Sequence, residues 1–138
     1  PGRTRTWERD TIVNVYSTTK TMTALTALIV ADRGELDFDA PVARYWPEFA
    51  QNGKGGVLVR HVLDHRAGLP VLQERLHPEA MFDHRLMVEA LARQAPLWEP
   101  GTQAGYHVHN QGFLIDEIVR RVDGRSVPQF VREEILPL

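Results

Sequence analysis

Hydrophobic positions along the chain recur mostly with helical rather than strand spacing. From Ser17 to about Arg33 apolar residues occupy nearly every face, and Gly34 follows, so we predict a buried helix that ends there. Helix-like spacing predicts four further helices, over residues 59–65, 83–94, 110–122 and 126–135. By contrast, the β-branched and aromatic run at 11–16 predicts a short strand or an extended segment that leads into Ser17. The chain should therefore be mostly α.

Composition narrows the class of protein without specifying an activity. Hydrophobic residues at 43% and charged residues at 25% are typical of a globular protein with a core. A net charge of -2 gives no reason to expect nucleic acid as a partner. The absence of cysteine rules out disulfides and thiol catalysis but leaves the localisation open, cytoplasmic or exported. The longest apolar run, 24–31, is too short to span a bilayer, so no transmembrane segment is predicted.

Both ends of the chain have the character of positions inside a longer protein. The chain starts at Pro1 without an initiator methionine, and it stops at Leu138 directly after a predicted helix. We therefore expect residues 1–138 to form a single partial domain.

Ser17-Thr18-Thr19-Lys20 has the Ser-x-x-Lys spacing of an activated serine nucleophile. A serine hydroxyl is a poor nucleophile until a base takes its proton. Residues three apart on a helix share one face, so the Lys20 amine can reach the Ser17 oxygen. The Ser17 backbone N–H, at a helix start, can also help to hold an oxyanion. The alternative is a helix N-cap serine followed by an unrelated surface lysine, but the strand-like lead-in and the apolar helix favour the nucleophile.

Further motifs run through nearly the whole chain in a fixed order. They occupy 10–20, 32–37, 60–70, Pro100-Gly101-Thr102 and Gly124-Arg125-Ser126. Together they resemble family VIII carboxylesterases and the wider group of class C β-lactamases and D-Ala-D-Ala carboxypeptidases. The resemblance implies a serine hydrolase that works through an acyl-enzyme. It also implies an α/β β-lactamase/DD-peptidase-like (transpeptidase) fold. This chain would hold the active-site helix and the all-α region of that fold, with most sheet strands missing. The family's third motif, Lys-Thr-Gly or His-Gly-Gly on a late strand, does not occur in the chain.

The second catalytic motif of that group is Tyr-x-Asn or a variant, shortly after Pro-Gly-Thr. The matching residues are Tyr106-His107-Val108, so the resemblance implies that Tyr106 shares proton transfer with Lys20. A packing aromatic in a loop is the alternative for Tyr106. Val108 stands where β-lactamases have asparagine, and valine cannot hydrogen-bond a substrate amide. This favours esters with small or medium acyl groups, with β-lactams or D-alanyl peptides as the alternative. His107, Val108 and Trp98 are the expected substrate contacts.

The histidines allow a competing interpretation. His61 and His65 are four apart on a predicted helix, which is the spacing of metal ligands, and His107 and His109 lie close together in sequence. However, no glutamate follows His61 as a metalloprotease would require, and His65 falls in a family segment where it looks structural. We expect no metal and no cofactor, and a small-molecule ester or β-lactam-like substrate as partner; no oligomeric state is predicted. A module of this fold that only binds its ligand is the remaining alternative.

Overall fold

The computed structural model describes residues 6–137, which form five α-helices linked by loops and short turns. The helices are α1 (Thr19–Asp32), α2 (Val59–Leu63), α3 (His84–Arg93), α4 (Asn110–Asp123) and α5 (Val127–Phe130). Four 3₁₀ turns cover Tyr16–Thr18, Val42–Arg44, Pro47–Ala50 and Pro78–Phe82, and a π-helical turn, Val131–Ile135, extends α5. The prediction of a mostly α chain is confirmed. Within this part of the chain, no helix has both the length and the apolar character needed to cross a membrane.

Local capping groups define α3 and α4, which end within one residue of their predicted positions. The Asp83 side chain accepts a hydrogen bond from the Leu86 N–H at 3.0 Å, which satisfies a free donor in the first turn of α3. Helix α4 ends at Gly124, whose φ of 88° is left-handed and causes no steric strain in glycine.

Helix α4 packs against α1, α2 and α3. Its inward face is fully buried and consists of Leu114, Ile115, Ile118 and Val119. Full burial of an aliphatic side chain of this size contributes roughly 1.5–3 kcal/mol. This packing fixes α4 against α1, the helix that follows Ser17.

Of the two alternatives predicted for 11–16, the short strand does not form. Residues 11–15 are irregular and exposed, and Ile12 is 96% exposed. A strand needs a neighbour that satisfies its backbone hydrogen-bonding groups. The only β-type pairing over residues 6–137 is an isolated antiparallel bridge between Pro41 and Leu58, so no such neighbour is present in the described part.

The apolar composition of helix α1 predicts burial on every side, but in the structure only one face of the helix is buried. Thr23, Thr26, Ala27 and Val30 face the core, whereas Leu28 is 53% exposed. The buried face holds α1 in place and leaves its N-terminal end, next to Ser17, open.

Candidate active site

A tight turn presents Ser17 ahead of α1. Ser17 lies in the 3₁₀ turn Tyr16–Thr18. It therefore precedes α1, whereas the sequence predicted that Ser17 would be the first residue of the helix. Tyr16 adopts a φ of 45°, in the left-handed region that non-glycine residues seldom occupy. The Tyr16 N–H donates to Asn14 Oδ1 at 2.9 Å, which supports this unusual backbone turn. As a result Ser17 is exposed.

The three predicted catalytic side chains meet at this turn, although Tyr106 is 89 residues from Ser17 in the sequence. The Tyr106 hydroxyl donates to Ser17 Oγ at 2.6 Å. Lys20 Nζ lies 4.9 Å from the centre of the Tyr106 ring and donates to the Val108 carbonyl at 2.7 Å. A hydroxyl, a phenol and an ammonium therefore share one contact network, which suits transfer of the Ser17 proton.

The surroundings of Tyr106 favour loss of its proton. Hydrogen bonds with Ser17 and then with Lys20 hold the pKa of Tyr106 below its usual value, and the positive charge of Lys20 acts in the same direction. Partial removal from water opposes these effects without outweighing them. The phenol thus ionises more readily than that of a free tyrosine, which is what a proton acceptor for serine requires.

Contacts on the residues next to Tyr106 hold its loop in place. The Leu69 N–H donates to Nε2 of His107 at 2.9 Å. Gly105 lies against the ring of Trp98 so closely that a Cβ at position 105 would come within 2.5 Å of a ring carbon. A larger residue at 105 would have to displace Trp98 or the loop, and Tyr106 with it.

His107, predicted as a substrate contact, does not line the cavity beside Ser17. Its ring is fully buried, with Nε2 bonded to the Leu69 N–H and Nδ1 facing the Gly105 carbonyl. Because Nε2 accepts, the ring proton lies on Nδ1 and the imidazole is neutral. Burial holds the pKa of His107 below its usual value, which agrees with a neutral ring. His107 is therefore a structural part of the loop.

Val108 and Trp98 stand in different relations to the nucleophile. Val108 is 48% exposed and lines the cavity beside Ser17. The Trp98 ring lies edge-on to His107, with ring centroids 6.2 Å apart, and does not line that cavity. The structure thus brings Val108 to the nucleophile and places Trp98 behind the loop.

The cavity beside Ser17 has a volume of about 310 Å³. Its wall also includes Thr19, Thr23 and Gly112, which were not predicted as site residues, and His109, which was considered only as a metal ligand. Thr19 and Thr23 are one turn apart on α1. Polar residues at this spacing in an otherwise apolar helix could have indicated that this face of the helix lines a cavity.

The histidines that raised the metal interpretation hydrogen-bond to the main chain. Within residues 6–137 no group of three or more His, Asp or Glu side chains is arranged to hold a metal ion. His61 Nδ1 accepts from the Leu58 N–H at 3.3 Å, and His65 Nδ1 accepts from the His107 N–H at 3.1 Å. Both rings therefore serve backbone donors.

The sequence as a whole matches one known protein family. The sequence model of the Beta-lactamase family covers residues 1–138. The chain belongs to the β-lactamase family. Solved structures of similar fold are a family VIII carboxylesterase and a penicillin-binding protein homologue from Caulobacter crescentus. The first has a TM-score of 0.88 and 42% identity over 96% of this chain and 36% of that structure. The second has a TM-score of 0.85 and 43% identity over 88% of this chain and 33% of that structure. The described helices are thus the helical part of a β-lactamase-like fold.

Curated relatives of this β-lactamase-family chain include proteins named as esterases. Esterase/beta-lactamase LipL of Mycobacterium tuberculosis is 40% identical over 129 residues, which are 94% of this chain and 30% of the relative. Esterase EstB of Burkholderia gladioli is 41% identical over 69 residues, 47% of this chain and 18% of the relative. The chain therefore spans less than a third of the length of either relative.

Proposed function

We propose that the protein is a serine hydrolase that forms an acyl-enzyme on Ser17 and acts on carboxylic esters with small or medium acyl groups. The observation that carries the proposal is the 2.6 Å hydrogen bond between Tyr106 Oη and Ser17 Oγ, with Lys20 Nζ 4.9 Å from the same aromatic ring. Membership of the β-lactamase family and relatives named as esterases support it.

In the proposed reaction, the Tyr106–Lys20 pair takes the proton of Ser17 while Oγ bonds to the ester carbonyl carbon. The negative charge moves to the carbonyl oxygen, and the Ser17 N–H supplies one donor to it. When the carbonyl re-forms, the bond to the alcohol oxygen breaks, and that oxygen receives the proton from the pair. Water then attacks the acyl-enzyme, gives its proton to the same pair, and releases the acid as Ser17 regains its hydrogen.

The side chain at position 108 favours esters over β-lactams. Val108 lines the cavity but offers neither a donor nor an acceptor from its side chain. An ester lacks the amide N–H that a polar residue here would bind. β-Lactam hydrolysis is the second candidate, because LipL is named as both esterase and β-lactamase.

The test uses the full-length gene product with p-nitrophenyl acetate, p-nitrophenyl butyrate and a chromogenic cephalosporin. We expect ester turnover that falls to the background rate in Ser17→Ala. Thr21→Ala, which removes an exposed hydroxyl from the same stretch of chain, is the matched control and should keep its activity. Ester turnover that survives in Ser17→Ala would exclude the assigned nucleophile. Labelling of Ser17 by a fluorophosphonate without turnover, measured by intact mass, would indicate a binding module instead.

A further inference from the structure

His65 contacts the Tyr106 segment at three points. Its Nδ1 accepts a hydrogen bond from the His107 N–H at 3.1 Å, and its carbonyl accepts one from the Gly105 N–H at 3.0 Å. Its ring lies edge-on against the Tyr106 ring, with centroids 4.7 Å apart. The two bonded residues flank Tyr106 directly, so a single residue holds Tyr106 from both sides and by its ring.

An uncommon backbone conformation of His65 allows these three contacts. His65 has a φ of 64°, in the left-handed region, where histidine, asparagine and aspartate are the more frequent non-glycine residues. In this conformation its side-chain Nδ1 and its own carbonyl both reach the segment that contains Tyr106. A regular helical continuation of α2, as the sequence predicted up to residue 65, would turn the carbonyl along the helix axis instead.

The hydrogen bond from the His107 N–H to Nδ1 requires a neutral His65 imidazole. Since Nδ1 accepts from the His107 N–H, the ring proton is on Nε2. The charged groups near the ring are Lys20 on α1 and Asp64 beside it in the chain. Burial and the charge of Lys20 lower the pKa of His65, while Asp64 acts in the opposite direction. The surroundings therefore maintain the acceptor at Nδ1.

We propose that His65 is a positioning residue that holds the Tyr106 hydroxyl at Ser17, an inference that rests on the proposed function. His65 does not line the cavity beside Ser17 and acts only through Tyr106. Misplacement of a catalytic group by 1 Å can lower a rate by about 100-fold. Loss of the Nδ1 acceptor should therefore lower kcat by about this factor and leave KM for an ester nearly unchanged.

The experiment compares His65→Gly with His65→Asn in the full-length gene product, with p-nitrophenyl butyrate as substrate. Both residues tolerate a φ of 64°, but only asparagine offers an acceptor, Oδ1, close to the position of Nδ1. We expect His65→Gly to lose about 100-fold in kcat at constant KM, and His65→Asn to recover most of that loss. Asn52→Gly is the matched control, because Asn52 is also left-handed and its side chain bonds to the Arg93 carbonyl, in contacts separate from Tyr106.

Three results would overturn the positioning role: an active His65→Gly, a His65→Asn as poor as His65→Gly, or a loss confined to KM. If His65→Gly does not fold, His65→Ser replaces it. The serine hydroxyl lies one bond closer to the main chain than Nδ1 does, so we expect the same loss in kcat at constant KM. The outcome also separates the two proposals. Normal wild-type turnover with an active His65→Gly refutes only the positioning role. A wild-type protein that neither hydrolyses esters nor labels at Ser17 refutes both.

Discussion

Lys54 is a charged side chain without exposed surface. Its Nζ donates to the Gln51 carbonyl at 2.9 Å and to the Gln94 carbonyl, and it lies 5.3 Å from the centre of the Phe49 ring. All three partners are uncharged. Burial lowers the pKa of Lys54 from 10.5 to about 8, because the charged form loses its hydration.

This lowered pKa makes stability depend on pH in a defined direction. Between pH 8 and 10.5 the unfolded chain still binds a proton at Lys54 while the folded chain has released it. The free energy of unfolding therefore rises with pH through this window. At pH 7 both states are charged, and the folded state carries the whole burial cost. The gap between the two pKa values corresponds to about 3 kcal/mol.

The variant Lys54→Met tests this reasoning, since it keeps a long apolar side chain and removes the amine. Urea unfolding of the full-length gene product, followed by tryptophan fluorescence, gives the free energy of unfolding at pH 7 and pH 10. The difference in the free energy of unfolding between Lys54→Met and the wild type should fall by about 2–3 kcal/mol from pH 7 to pH 10. Only the wild type has the amine whose deprotonation stabilises the folded state. The exposed Arg75→Met should show no such fall. A difference for Lys54→Met that stays constant to within about 0.5 kcal/mol would refute the buried-amine account.

Two further outcomes concern the candidate active site. Tyr106→Phe removes the hydroxyl beside Ser17 and should lower kcat for p-nitrophenyl butyrate by about 10²–10⁴-fold, the usual contribution of general acid–base catalysis. The urea midpoint should not change, because Tyr106 is 49% exposed; an unchanged kcat would exclude Tyr106 from proton transfer. Val108→Asn places an amide on the cavity wall and should raise kcat/KM for a cephalosporin by up to about tenfold, the value of one neutral hydrogen bond. No rise relative to the ester would mean that the side chain at position 108 does not select the substrate class.

The sequence predicted those features of the fold that depend on local spacing. Helices α3 and α4 were predictable because an apolar stripe, the Asp83 cap and the Gly124 stop all lie within the segments themselves. The strand at 11–16 was wrong because β-branched residues describe a preference, whereas a strand also requires a partner. The one-sided burial of α1 was missed for a similar reason, since the sequence does not show which faces find a neighbour.

The candidate site was predictable for its motifs but not for its loop. Ser17 and Lys20 share a helical spacing, and Tyr106 followed from an ordered resemblance; the structure brings all three together. The inward turn of His107 could not be predicted, because loop residues have no period that separates buried from exposed side chains. The same lack of period concealed the left-handed conformation of His65.

Lys20 is anchored by the main-chain carbonyl of residue 108, and the same residue lines the cavity beside Ser17. Every amino acid has the same carbonyl group, so the anchor does not depend on which side chain stands there. The side chain at position 108 can therefore be exchanged in the laboratory while the lysine keeps its contact.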